Sequence, residues 1–289
     1  APANQCPCIA SEWENPEGVP ISAILFGGRR PSTVPLVHQA RDWNHGVFLG
    51  SIVGSEITAA STIDASQVGK IRRDPFANLP FCGYNMGDYF QHWVNIGAKA
   101  DQDKLPKIFY VNWFRKDDNN DKLPGGFMWP GYGDNSRVLA WIFDRCNGKD
   151  NFVETAIGYM PKEGAINLDG LEDVYKEQIP AITSVDKEGW LKEIKDIREN
   201  HYPKFGAHLP KELSEQLDIL ESTNRKSDPE KCEAFACLNA IKAVSLLPNK
   251  IIYRNTDADY NYFKKLENIN YDTDVACYVI NPRGATDET

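Results

Sequence analysis

Two stretches of this chain carry residue types and spacings suited to chemistry. One is Asn112-Trp113-Phe114-Arg115-Lys116-Asp117. The other is Phe127-Met128-Trp129-Pro130-Gly131-Tyr132-Gly133-Asp134-Asn135-Ser136-Arg137. Aromatics that end a strand and recur in the next loop can wall a slot for a flat heteroaromatic ring, because ring faces stack. The Asn135 amide offers both a donor and an acceptor, so it can read the edge of a base. A core strand followed by an aromatic-rich loop uses the same residues, and composition does not separate the two readings.

A second constellation is Gly27-Gly28-Arg29-Arg30-Pro31. Glycines let a backbone approach closely, and a guanidinium presents a planar fork matched to phosphate oxygens. Paired arginines also form structural salt bridges. From Ser55 to Lys70 the chain is rich in small residues, which suits a loop that opens and folds and equally suits a solvated surface loop. Asp117, Asn119 and Asp121 imitate the start of a calcium loop. The pattern then fails, with Lys122 where glycine is required and Met128 where glutamate is required. The histidines His38, His45, His92, His201 and His208 have no ligand spacing and read as structural or exposed. Cys6 and Cys8 are too closely spaced for a zinc knuckle and have no partner pair.

The elements that must hold these groups are partly legible. Ile21 to Phe26 reads as a buried strand running into a glycine turn, His45 to Val53 as a second apolar strand, and Lys107 to Phe114 as a third. Gly87 to Ile96 has helical spacing. Ser136 to Cys146 reads as a helix with Val138, Leu139, Ile142, Phe143 and Cys146 on its apolar face and N-cap candidates at Asp134 to Ser136. Asp186 to Asn200, with Trp190, Leu191, Ile194 and Ile197, and Pro210 to Glu221, with Leu213, Leu217 and Leu220, read as further helices. Strands and helices mix without simple alternation, so the expected class is α/β or α+β around a mixed sheet.

The 289 residues hold 42% hydrophobic and 25% charged residues, ordinary values for a globular chain with a sizeable core. A net charge of -9 argues against nucleic acid as the main partner. No run approaches a membrane span and no signal-peptide pattern opens the chain. Seven scattered cysteines, an odd number, read as reduced thiols of an intracellular protein. No G-x-x-x-x-G-K-[ST] phosphate loop occurs in these residues.

Taken together, the strings resemble the GTP-dependent phosphoenolpyruvate carboxykinases, with Asn112–Asp117 and Phe127–Arg137 similar to that family's guanine pocket. The resemblance begins at Gln5-Cys6-Pro7 and Trp13-Glu14-Asn15-Pro16. It runs on through Phe26-Gly27-Gly28-Arg29-Arg30-Pro31, Trp43-Asn44-His45-Gly46-Val47-Phe48, Asp74-Pro75-Phe76-Ala77 and Gly83-Tyr84-Asn85. Past the pocket it includes Ile157-Gly158-Tyr159-Met160-Pro161 and Leu168-Asp169-Gly170-Leu171, so it covers residues 1 to about 225 in register.

The resemblance implies an incomplete carboxykinase fold: its C-terminal nucleotide-binding domain, α/β (mixed α+β), with a mixed sheet and flanking helices. Residues 1–20 would connect from a missing N-terminal part of the same polypeptide. Residues 21–227 would form the nucleotide-binding and lid domain, and 228–289 an extension of unknown role. The implied reaction turns oxaloacetate and GTP into phosphoenolpyruvate, GDP and carbon dioxide. Arg29 would contact the transferred phosphate. Trp113, Phe114, Phe127, Tyr132 and Asn135 would hold guanine, and Ser55, Glu56, Thr58, Ala59 and Ala60 would belong to the lid.

Manganese and magnesium ligands and the phosphate loop would lie upstream, leaving no metal site in this chain and the chain alone inactive. GTP or GDP and oxaloacetate or phosphoenolpyruvate would be its ligands, with no nucleic acid and no membrane. The compartment would be cytoplasmic, with the mitochondrion left open. The chain departs from the family pattern at Gly54, where the family carries arginine. Its lid is also longer and lacks the usual His-Lys element, and its loop between Lys116 and Phe127 is longer. Two rival readings are a family variant using another phosphoryl donor and a non-catalytic nucleotide-binding or interaction module.

Overall fold

The computed structural model describes residues 2–226, so the expected extension over 228–289 lies outside the described residues. In chain order the strands are β1 (Ala23–Gly27), β2 (Val37–Gln39), β3 (Gly54–Glu56), β4 (Ile71–Arg73), β5 (Lys107–Val111), β6 (Phe152–Thr155) and β7 (Gly158–Pro161). Five of them form one mixed sheet in the order β1-β5-β2-β7-β6, and β3 pairs with β4 as a separate hairpin. β1 and β5 run parallel; the other pairs are antiparallel. The expected mixed sheet with flanking helices is therefore the observed one.

β5 shows why the sheet is covered on both faces. Its side chains alternate, Ile108 and Tyr110 entering one core cluster and Phe109 and Val111 the other. The first cluster is closed by α1 (Trp43–Ser51), α2 (Met86–Lys99), α6 (Lys187–Asp196) and α7 (Lys211–Lys226), which contribute Phe48, Phe90, Trp190 and Leu217. The second is closed by α3 (Asn135–Cys146) and the short helices α4 (Asp173–Lys176) and α5 (Ile179–Ile182).

Five expectations need correction. The run from Ile21 to Phe26 is no buried strand: β1 starts at Ala23, lies at the end of the sheet order and has no buried residue, and Leu25 and Ile21 are exposed. The apolar run from His45 to Val53 is a helix, α1, and no strand. Asp42 caps it by accepting from the His45 amide at 2.8 Å. The helix is buried on almost every side, so its sequence lacks a polar stripe and looks like a buried strand. A Cβ at Gly46 would fall 2.3 Å from Ile108 Cδ1, so only glycine lets α1 approach the sheet this closely.

The buried face of α3 is Val138, Trp141, Ile142 and Arg145, whereas Leu139 and Phe143 face outward. Its N-cap is Asp134, whose side chain makes no capping bond and instead holds Arg137 at 2.8 Å. The strand expected to run to Phe114 stops at Val111. Asn112 ends it: its Oδ1 accepts from the Phe114 amide at 3.1 Å and turns the chain. The 186–200 helix is regular to Asp196 and then widens into a π-turn over Ile197–His201.

Candidate functional site

The site forms where β1 and β5 end. The two strands are parallel, with Gly27 registered against Val111. Their carboxyl ends therefore release Arg29 and Phe114 side by side, at the sheet edge where α/β folds place ligands. The Arg29 guanidinium lies over the Phe114 ring, its carbon 4.1 Å from the ring centroid. Phe127 meets Phe114 edge to face, with centroids 6.2 Å apart and planes at 70°.

Phe127 reaches this position through the longer loop that precedes it. Lys116 and Phe127 form an antiparallel bridge. It is flanked by Asp117 N–H to Gly126 O at 2.9 Å and Met128 N–H to Arg115 O at 2.9 Å. Within the loop, Asp117 Oδ1 accepts from the Asn119 amide and Asn120 Oδ1 from the Lys122 amide, as turn residues do.

Asn112 is the staple that sequence reasoning passed over. It is 1% exposed. Its Nδ2 donates to the carbonyls of Arg30 at 2.8 Å and Val34 at 2.9 Å, and its Oδ1 accepts from the Arg30 amide at 3.2 Å. One amide side chain thus ties the end of β5 to the arginine turn after β1. An asparagine leading an aromatic pair was visible in the sequence, but its long-range partners were not.

Arg30 does not join Arg29 at the Phe114 ring. It is buried and pairs with Glu193 of α6, which also binds Arg73 of β4 at 2.8 Å; Arg73 reaches Asp196 at 2.7 Å. Burial alone would raise the Glu193 pKa, but the two guanidiniums outweigh it and hold the carboxyl below its usual range. The cluster clamps the root of the loop expected to be the lid. Nothing local in the sequence announced Glu193 or Arg73.

That loop springs from the β3–β4 hairpin. Ser55 and Glu56 lie in β3, whose backbone is tied to the arginine turn. The Arg29 amide donates to Ser55 Oγ at 3.1 Å, and the Glu56 amide donates to the Arg29 carbonyl at 2.8 Å. A Cβ at Gly28 would fall 2.2 Å from the Gly54 carbonyl oxygen, so this contact requires glycine. Thr58 follows β3, and Ala59 and Ala60 start a short 3-10 turn, both exposed. Ile63, at the outer part of the loop, is fully exposed.

The expected guanine residues are only partly brought together. Phe114 and Phe127 meet. Trp113 is half-buried and packs against the second core cluster, and it makes no ring contact with Phe114 or Phe127 among the described residues. Tyr132 is 99% exposed between Gly131 and Gly133, and it makes no ring contact among the described residues. Asn135 opens α3, and its Oδ1 accepts from the buried Trp129 indole N–H at 2.8 Å. Among the described residues, no group of three or more His, Cys, Asp or Glu side chains could hold a metal ion.

A mixed sheet covered on both faces, with an arginine, two aromatics and a hairpin-borne loop at the ends of two parallel strands, defines the class as a mixed α/β domain. Comparison with known proteins sharpens that class. The family model described as the phosphoenolpyruvate carboxykinase C-terminal P-loop domain matches residues 1–223. A protein of Treponema pallidum named phosphoenolpyruvate carboxykinase [GTP] is 67% identical over 237 residues, covering 82% of this chain and 37% of its own. Proteins of the same name from Neocallimastix frontalis and Renibacterium salmoninarum are 56% and 50% identical, covering 71% and 76% of this chain and 32% and 35% of their own. The chain belongs to the GTP-dependent phosphoenolpyruvate carboxykinase family, and it spans about a third of the length of these relatives.

Proposed function

We propose that this chain is the nucleotide-reading part of a phosphoenolpyruvate carboxykinase that converts oxaloacetate and GTP to phosphoenolpyruvate, GDP and carbon dioxide. The observation that carries the reading is the Arg29–Phe114 contact beside the lid root. Phe114 and Phe127 supply aromatic surface for guanine, with Asn135 at its edge and Tyr132 as a second ring on the exposed loop. Trp113 backs the slot. Arg29 neutralises charge on the phosphoryl group in transfer, where a fixed cation counts most. The loop bearing Ser55, Glu56, Thr58, Ala59 and Ala60 closes over the reactants and excludes water.

The family resemblance calls for manganese and magnesium. The described residues offer no fitting ligand set for either ion. The four described cysteines are free thiols, which favours the cytoplasm. No helix of the described residues is long and apolar enough to cross a membrane.

The test is an assay of the full-length polypeptide with oxaloacetate, a divalent cation and either GTP or ATP, correcting for spontaneous decarboxylation. GTP-dependent phosphoenolpyruvate formation is expected. Turnover with another phosphoryl donor in place of GTP would favour the family-variant reading, and nucleotide binding without product would favour a non-catalytic module.

A further inference from the structure

Asn135 carries an ambiguity that its neighbour resolves. An amide presents a carbonyl on one side and an NH2 on the other, and it can turn over to suit either kind of partner. Trp129 removes that freedom. It is 1% exposed, and its indole N–H, which can only donate, points at Asn135 Oδ1 at 2.8 Å. The carbonyl side of Asn135 is thereby committed. Its Nδ2 has no hydrogen-bond partner among the described residues and is the side left to meet a ligand.

Trp129 is itself well placed to hold this geometry. It lies two residues after Phe127, on the segment fixed by the Met128 N–H to Arg115 O bond, and its ring is packed in the second core cluster. Asn135 is anchored separately, its backbone amide donating to the Gly131 carbonyl at 3.0 Å as α3 begins. Both ends of the contact are therefore held by structure that does not depend on a bound nucleotide.

We propose that Trp129 is a positioning residue for base selection: its indole locks the Asn135 amide with NH2 outward, so that the slot accepts a base presenting a carbonyl oxygen and disfavours one presenting an amino group. This inference rests on the reading of Asn135 as the base-edge contact. A donor facing a ring carbonyl completes a hydrogen bond. The same donor facing an exocyclic amine leaves two donors opposed and unpaired. Without the indole the amide turns over at little cost and serves both bases.

The test compares GDP and ADP binding by equilibrium competition in the full-length polypeptide, for the unaltered protein, Trp129→Phe and Asn135→Ala. Trp129→Phe should narrow the GDP preference about tenfold, the worth of one hydrogen bond in a sheltered site, and part of the change should be tighter ADP binding. A merely structural tryptophan would weaken both nucleotides together and leave their ratio unchanged, and that result would overturn the proposal. If Asn135→Ala also leaves the ratio unchanged, the underlying reading of Asn135 fails as well. If Asn135→Ala narrows the preference and Trp129→Phe does not, only the role of Trp129 falls. Should Trp129→Phe not fold, the Trp129 indole N–H resonance decides. It should move in Asn135→Ala, and an unmoved signal overturns the contact.

Discussion

The Arg29 guanidinium rests on the face of the Phe114 ring, 4.1 Å from its centroid. The contact joins two residues for which separate roles are proposed, a cation directed at phosphate and a ring that stacks on a base. It arises because β1 and β5 are parallel and registered at Gly27 and Val111, so the two residues leave neighbouring strand ends together. A cation over an aromatic face is worth about 0.5–1 kcal/mol where water reaches it. That is small enough for a bound nucleotide to redirect the guanidinium toward phosphate.

Arg29→Lys tests the cation. Lysine keeps the charge and loses the planar fork. Turnover in the full-length polypeptide should fall about tenfold to a hundredfold, with a much smaller change in nucleotide affinity. Steady-state kinetics beside equilibrium GDP binding would check this, and unchanged turnover would make Arg29 structural.

Phe127→Ala tests the ring pair. It removes the edge contact to Phe114 and the side chain beneath Lys116, which lies 5.0 Å from the Phe127 centroid. Guanine nucleotide binding should weaken by about 1–3 kcal/mol, the usual worth of one stacking ring. Titration calorimetry with GDP would measure the change.

Gly28→Ala tests the contact between the arginine turn and the hairpin. The new methyl would meet the Gly54 carbonyl, and backbone cannot yield as a flexible side chain does. The β3–β4 root should be displaced and its loop loosened. Limited trypsin digestion should cut faster after the exposed Lys70 than in the unaltered protein. Equal cleavage rates would show that the root absorbs the methyl.

Glu193→Gln tests the buried clamp. Arg30 and Arg73 would lose the carboxylate they share, leaving buried positive charge poorly compensated. Stability should fall by about 3 kcal/mol, measured by urea denaturation. A loss below about 0.5 kcal/mol, the range of ordinary surface substitutions, would mean the clamp contributes little.

His201 gives the fold an acid-sensitive point. It is buried, its Nε2 donates to the Ser51 carbonyl at 2.8 Å, and burial pushes its pKa down from 6.5 to about 4. The folded state therefore binds the proton less readily than the unfolded chain. The stabilising contribution is present above about pH 6.5 and is lost as the pH falls through about 4. The full shift corresponds to about 3 kcal/mol. Thermal unfolding between pH 7 and pH 4.5 should show a shallower fall for His201→Gln than for the unaltered protein, and parallel falls would contradict the assignment. His38, pushed to about 3 by burial, acts in the same direction.

The sequence by itself determined the family, the mixed α/β class and most helices, because helical spacing in α2, α6 and α7 and many motifs in register are local signals. It also marked Arg29, Phe114, Phe127 and Asn135 by type. Only the tertiary structure decided which of them meet. Parallel pairing of β1 with β5 put Arg29 against Phe114, while past the Asn112 turn Trp113 packs half-buried against the second core cluster. The α1 segment was misread as a strand because a helix buried on nearly every side loses the polar stripe that reveals its period. Glu193 and Arg73 were invisible because charges that pair across 120 positions leave no local pattern. The orientation of the Asn135 amide was likewise undecided until the Trp129 indole, a donor only, was found beside its oxygen.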